Sequence, residues 1–194
     1  ATAKVDALID WIDTGSTAQG TSEDENSKYY PDMGSGYCKN GPLDFIEELL
    51  LIAGFDSTIL YGDKNQGKIG IIDYIIIDTD GKVNINTAPS EVLQALGFAQ
   101  DLADYIISYR NNKENPPIDK NNISSLKNES FYSRSFEDGE GAKIAQIVDN
   151  YLTTTSAVFR INAYSKVNNV RKHINCVVKL IPGSLYEIKY WNEE

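Results

Sequence analysis

From Thr155 to Leu180 the side chains alternate with a period of two, and no other feature limits the fold of this chain so strongly. Phe159, Ile161, Ala163, Ser165 and Val167 share one side of the run, and Arg160, Asn162, Tyr164 and Lys166 share the other. A helix cannot sort residues in this way. A strand does, because successive side chains point to opposite faces. Asn168-Asn169 interrupts the alternation, which resumes from Val170 with Ile174, Cys176, Val178 and Leu180 on one side. Asparagine tolerates positive φ better than most residues, so the pair predicts a two-residue hairpin turn. Pro182-Gly183 predicts a further turn, and Leu185 to Trp191 a third strand. Residues 153–194 are therefore expected to form an antiparallel β-meander with one apolar face, which something must cover.

Upstream the period is helical. Residues 4–13 predict a short amphipathic helix, with Val5, Leu8, Ile9 and Ile12 on one face and Trp11 beside it. Residues 14–42 are rich in Gly, Ser, Asn and Asp and predict a loop, which carries the acidic run Glu23-Asp24-Glu25. Leu43 to Ala53 predicts a second helix, closed by Gly54. The β-branched run Ile71-Ile72-Asp73-Tyr74-Ile75-Ile76-Ile77 predicts a short buried strand, and Asp80-Gly81 turns the chain. Helices are expected at 88–97 and 100–112, with Asn111 to Pro117 breaking the second. The polar stretch 113–140 allows short helical turns at most. An amphipathic helix at 140–152 turns Ile144, Ile147, Val148 and Leu152 inward. The expected organisation is α+β: a helical domain with long loops and a short buried strand over 1–152, then the meander over 153–194.

Composition narrows the function. The net charge of −10 opposes a nucleic-acid role, because Lys and Arg contacts to phosphate supply most non-specific affinity. One local basic patch exists, Lys166 to Lys172 with Arg171. Acidity suits a secreted or surface protein and the binding of hard cations. No run approaches the roughly 20 apolar residues that span a bilayer. The first residues, Ala1-Thr2-Ala3-Lys4-Val5, begin inside the first helix, as in a trimmed segment whose anchor lies upstream. Cys38 and Cys176 form no CxxC motif; they are either a disulfide formed outside the cytoplasm, or one loop thiol and one small buried hydrophobe. His173 is the sole histidine and faces away from the apolar side of its strand, so it reads as a surface residue. No Gly-x-Ser-x-Gly elbow, zinc set or carboxylate-pair spacing argues for catalysis.

Asn84-Ile85-Asn86-Thr87-Ala88-Pro89-Ser90-Glu91 reads as a tightly turned helix start. Thr87 is expected to cap it, with Pro89 and Glu91 favourable in the first turn and Val92, Leu93 and Leu96 on one face. This wording resembles the NxNTA-x-x-x-L segment of helix-hairpin-helix DNA-binding modules, and equally that of the K-type minor pseudopilins of type II secretion and type IV pilus systems. A DNA-binding hairpin needs Gly-x-Gly, so that backbone amides can approach a phosphate. Here the residues are Leu96-Gly97-Phe98-Ala99-Gln100, followed by Asp101 and Asp104, with Arg110 alone basic. The K-type resemblance runs in order along nearly the whole chain. Leu8-Ile9-Asp10-Trp11-Ile12-Asp13 looks like that family's LxDWID opening. Tyr29-Tyr30, Asn40-Gly41-Pro42-Leu43, Glu47 to Phe55 and Leu60-Tyr61-Gly62-Asp63 then follow in the family's sequence. Phe159 to Ala163 and Val170-Arg171-Lys172 resemble its closing strands.

The resemblance implies a pilin-like antiparallel sheet with a large, mostly helical inserted domain of helix-hairpin-helix or SAM-like type; the family's N-terminal spine helix is absent from this chain. It implies no catalysis and a position at the tip of a pilus or pseudopilus, initiating or capping assembly. The implied partners are I- and J-type minor pseudopilins and filament subunits, with no nucleic acid. The implied location is extracytoplasmic, at the cell surface or in the periplasm, with inner-membrane anchoring before assembly through the missing helix. A nucleic-acid-binding module and an extracellular enzyme of unrecognised type stand as alternatives. Calcium is the one cofactor expected, at a loop built from Asp13, Glu23, Asp24 and Glu25. The chain departs from the family there, with Gly15 where a second acid is usual and Gly20-Thr21-Ser22-Glu23 in place of Gly-Ala-Glu. Asp63-x-Asn65 and Asp78-x-Asp80-Gly81 read as turns, since Tyr74 occupies the twelfth position where an EF-hand needs Glu. With the covering helix missing, the sheet is expected to expose an apolar patch.

Overall fold

The computed structural model describes residues 2–34, 36–183 and 186–193. The chain divides into two compact units, Ala1–Ile77 and Asp78–Glu194.

The first unit opens with α1 (Thr2–Ile12). Its inward side is Ala7, Asp10 and Trp11. The aliphatic face expected to pack inward is largely outside: Val5, Ile9 and Ile12 are 52%, 41% and 39% exposed. The reason is the indole. Trp11 meets Tyr30 and Tyr37 edge-on, with ring centroids 6.0 and 5.9 Å away, and one large aromatic outweighs several aliphatic groups in buried area. A short helix, α2 (Glu25–Tyr29), forms inside the expected loop because the Asp24 carboxylate accepts from the Ser27 amide at its first turn.

The expected second helix is a 3₁₀ turn, Ile46–Leu51. The Glu48 carboxylate is buried and accepts from the Asp44 amide and Lys39 Nζ, each at 2.8 Å, which folds the segment tightly, and Ile52 then turns extended. After α3 (Ser57–Tyr61), the two-residue strands β1 (Gly62–Asp63) and β2 (Lys68–Ile69) pair antiparallel. Their crossing permits no Cβ: one on Gly62 (φ +79) would lie 2.4 Å from the Lys68 carbonyl.

No strand forms over 71–77. The segment holds one 3₁₀ turn, Ile71–Asp73, and irregular chain. Ile71, Ile72, Ile75 and Ile77 still pack on the core of Trp11, Tyr30, Ile46, Leu49, Ile52 and Leu60. Their burial needs only apolar surface, which irregular backbone also supplies, and no neighbouring strand pairs with them among the described residues.

The second unit holds β3 (Val83–Asn84), α4 (Ser90–Leu96), α5 (Gln100–Asn111), α6 (Glu129–Tyr132), α7 (Glu140–Tyr151) and β4 (Leu152–Thr153). β3 and β4 pair in parallel, tying both ends of the helical set together. Its core joins Ile85, Leu93, Leu102, Ile106, Leu126, Ile144, Ile147 and Leu152. Thr87 does not cap α4. Pro89 is the N-cap, without a side-chain bond, and its carbonyl accepts from Val92 and Leu93. The turn before it is held by asparagines instead: Asn84 Oδ1 accepts from the Asn86 amide, and Asn86 Nδ2 donates to the carbonyls of Ile118 (2.8 Å) and Thr154 (3.2 Å).

The meander follows as β5 (Val158–Val167), β6 (Val170–Lys179) and β7 (Glu187–Glu193), in the order β5-β6-β7. Val167 pairs with Val170, so Asn168-Asn169 is the two-residue turn, with Asn168 at φ +54. The third strand lies slightly later than expected; Leu185 falls outside the described residues. A bulge at Val177/Val178 shifts the β6–β7 register. Asp78, also at positive φ, accepts from Lys179 at 3.2 Å and pairs with Lys189 at 2.9 Å, clasping the start of the unit to the sheet.

Candidate functional site

The acidic residues at the end of α1 and in the loop after it form the most unusual chemical environment in the first unit. Asp10 lies in the last turn of α1, and Asp13 follows its end with its amide still donating to the Ile9 carbonyl (2.8 Å), so the two emerge at neighbouring positions. The loop then doubles back. Ala18 donates to the Glu23 carbonyl (2.9 Å), Glu25 donates to the Ser16 carbonyl (3.2 Å), and Thr17 bridges Asp24. This return delivers Glu25 to the two aspartates. A Cβ on Gly15 would stand 3.1 Å from Asp13 Oδ1 and 3.5 Å from Glu25 Oε1, so the glycine sits between the two carboxylates.

The three acids are not equivalent. Asp10 is fully buried, and both its oxygens accept from the Gln19 amide at 3.0 Å. Asp13 Oδ1 accepts from the Gly15 amide at 2.9 Å and Oδ2 from Gln19 Nε2 at 3.3 Å. Glu25 is also fully buried, yet neither carboxylate oxygen has a hydrogen-bond partner. Burial pushes its carboxyl above the ordinary range, the charges of Asp10 and Asp13 push it further, and the Cys38 thiol beside it works the other way. Burial and the same glutamate raise Cys38 to about 11, so it stays a thiol. Both cysteines are free.

Of the four residues expected at a calcium loop, the fold brings Asp13 and Glu25 together. Glu23 is exposed, and Asp24 is spent capping α2. Asp10 is the member that the sequence reading passed over, although it stands in the same DWID segment. Among the described residues no group of three or more His, Cys, Asp or Glu is arranged to hold a metal ion. The buried Glu25 carboxylate, whose oxygens lack hydrogen-bond partners, lies near Asp10, Asp13 and the Cys38 thiol. The other two calcium-like segments are turns. Asp63 accepts from the Asn65 amide, and Asp80 from the Lys82 amide.

The segment resembling a DNA-binding hairpin is built for packing. Gly97 (φ +110) closes α4, and a Cβ there would meet Lys143 Cε at 2.6 Å. Phe98 is buried in the core. Arg110 donates to the Ile85 carbonyl at 2.8 Å, and Asp101 pairs with Arg134 at 2.8 Å.

The sheet carries the expected apolar face. The register aligns Phe159, Val178 and Ile188 in one row and Ile161, Cys176 and Trp191 in the next. Phe159, Ile161, Ile188 and Trp191 are exposed. His173 lies on the opposite face, stacked on Tyr164 at 4.2 Å, and is half-buried rather than at the surface.

No family model matches the chain, and no curated protein matches it. Among solved structures, a chain of the crystal structure of the GspK–GspI–GspJ complex from the enterotoxigenic Escherichia coli type 2 secretion system has a similar fold, with a TM-score of 0.64 and 18% identity. The match covers 97% of this chain and 61% of that one, so the present chain spans about three fifths of its length. The likeness shows that this chain shares its fold with a chain of that pseudopilin complex.

Proposed function

We propose that the protein is a K-type minor pilin or pseudopilin that takes a position at the filament tip and initiates or caps assembly through protein contacts. The observation that carries this reading is the fold match over nearly the whole chain, in agreement with the motif order from Asp10-Trp11-Ile12-Asp13 to the closing strands. The exposed apolar rows of the sheet add support, since they offer the kind of surface that a spine helix would cover. In this role the chain is structural, not catalytic, and works outside the cytoplasm, anchored in the inner membrane before assembly. Its partners are I- and J-type minor pseudopilins and the filament subunits. The test is to mix the chain with the I- and J-type proteins of the same cell and follow sedimentation. A discrete heterocomplex supports the reading; three independently sedimenting species overturn it.

We also propose calcium as the cofactor, held by Glu25 and Asp13 with Asp10 behind them. The ion would neutralise the buried Glu25 carboxylate and tie the acidic loop to α1. A ligand that binds only the folded state raises stability by mass action, by about 2.7 kcal/mol at a hundred times its Kd. Calcium should therefore raise the Tm of the native chain and leave Glu25→Gln unmoved. An equal response of both proteins removes the assignment.

A further inference from the structure

Pairing of β6 with β7 ends at Ile174–Glu193 among the described residues, and beyond it β5 and β6 continue as a two-stranded ribbon to the Asn168-Asn169 turn. Three features of that ribbon do not fit a solvated hairpin. Its apex is apolar: Val167 and Val170 pair across the turn, 70% and 63% exposed, and Tyr164 nearby is 77% exposed. Directly behind the apex Lys166 stands opposite Arg171, a like-charge pair that weakens a sheet. No carboxylate pairs with either cation among the described residues; Lys172 alone has one, Glu193 at 3.2 Å. Finally, the charge is segregated. Residues 151–194 hold six basic and three acidic residues, with no acid between Asp149 and Glu187, whereas residues 1–150 hold twelve basic and twenty-five acidic.

We propose that the Tyr164–His173 hairpin tip is a docking element for an anionic lipid surface. An apolar apex ringed by cations and an aromatic side chain matches the layering of a membrane interface, where acyl chains lie beneath anionic headgroups. Val167 and Val170 enter the headgroup boundary, Lys166 and Arg171 meet lipid phosphates, and Tyr164 lies at headgroup level. The anionic surface relieves the Lys166–Arg171 repulsion. An acidic protein surface would satisfy the cations equally but gives the exposed valines no role. This contact goes beyond filament assembly and does not depend on it.

The experiment is co-sedimentation of the full 194-residue chain with vesicles of phosphatidylcholine, with and without phosphatidylglycerol. Binding is expected only with phosphatidylglycerol. Each basic residue near such a surface contributes about fivefold in partition, so Lys166→Gln with Arg171→Gln should lower it roughly 25-fold. Val167→Ser with Val170→Ser should weaken binding while leaving its salt dependence intact. Lys113→Gln with Lys120→Gln, exposed lysines elsewhere, should change nothing. Unaltered thermal melts establish that each variant is folded. The proposal is overturned by equal binding to both vesicles, by an undiminished Lys166/Arg171 variant, or by a folded wild-type chain that binds neither. It is equally overturned if the chain ignores vesicles but binds an oligo-glutamate peptide through the same two cations, which would make the tip an acidic-protein site.

Discussion

Glu25 concentrates the physical tension of the first unit. A buried carboxylate whose oxygens lack partners, with Asp10 and Asp13 nearby, favours its protonated form. The folded state therefore holds this proton more tightly than the unfolded chain does. Below the ordinary value of 4.5 both states are protonated and the group is neutral to stability. As pH rises from there through the raised folded value, the unfolded chain sheds its proton first, and stability falls. In chelator, Glu25→Gln should match the wild type at the acid end and exceed it at neutral pH, as read by urea unfolding across a pH series. A variant weaker than wild type at neutral pH would mean that the carboxylate is engaged. Asn86 is the opposite case, a polar side chain that is fully used. Asn86→Ala leaves the Ile118 and Thr154 carbonyls without their donor and should cost about 1–3 kcal/mol by the same method. The sequence made Glu25 and Asp13 legible as acids on one loop. It hid Asp10, because nothing local says that the loop returns to bring Glu25 against both aspartates.

At the scale of elements, strong local chemistry was readable and tertiary choice was not. The hairpin register follows from strict alternation and Asn168-Asn169, both local, and Gln100–Asn111 and Glu140–Tyr151 lie where their 3.6-residue period puts them. The inward side of α1 differs from the periodic expectation because periodicity counts apolar positions equally, while packing rewards area and the indole has the most. The two faces can be separated by mutation. Trp11→Ala should cost about 3–5 kcal/mol, whereas Ile9→Ser, on the largely exposed face, should stay within about 0.5 kcal/mol. Similar losses from both changes would contradict the orientation of α1. The Ile71–Ile77 run shows a related limit: its isoleucines reach the core only partly buried, and a strand also needs a neighbour to pair with, which sequence does not announce. The 3₁₀ turn at Ile46–Leu51 likewise depends on Glu48 finding Lys39 and the Asp44 amide.

Along the whole chain, mostly helical sequence is followed by a β-meander of different character. Acidic charge gathers before residue 151 and basic charge after it, and the sheet leaves Phe159, Ile161, Ile188 and Trp191 exposed on its apolar face. Both properties suit a subunit that works by contact with other surfaces. No helix among the described residues is long and apolar enough to cross a membrane. Immunogold labelling of sheared filaments from cells expressing the native protein tests the proposed tip position most directly. One label at a single filament end is the predicted result; label spread along the filament, or filaments with none, would contradict it.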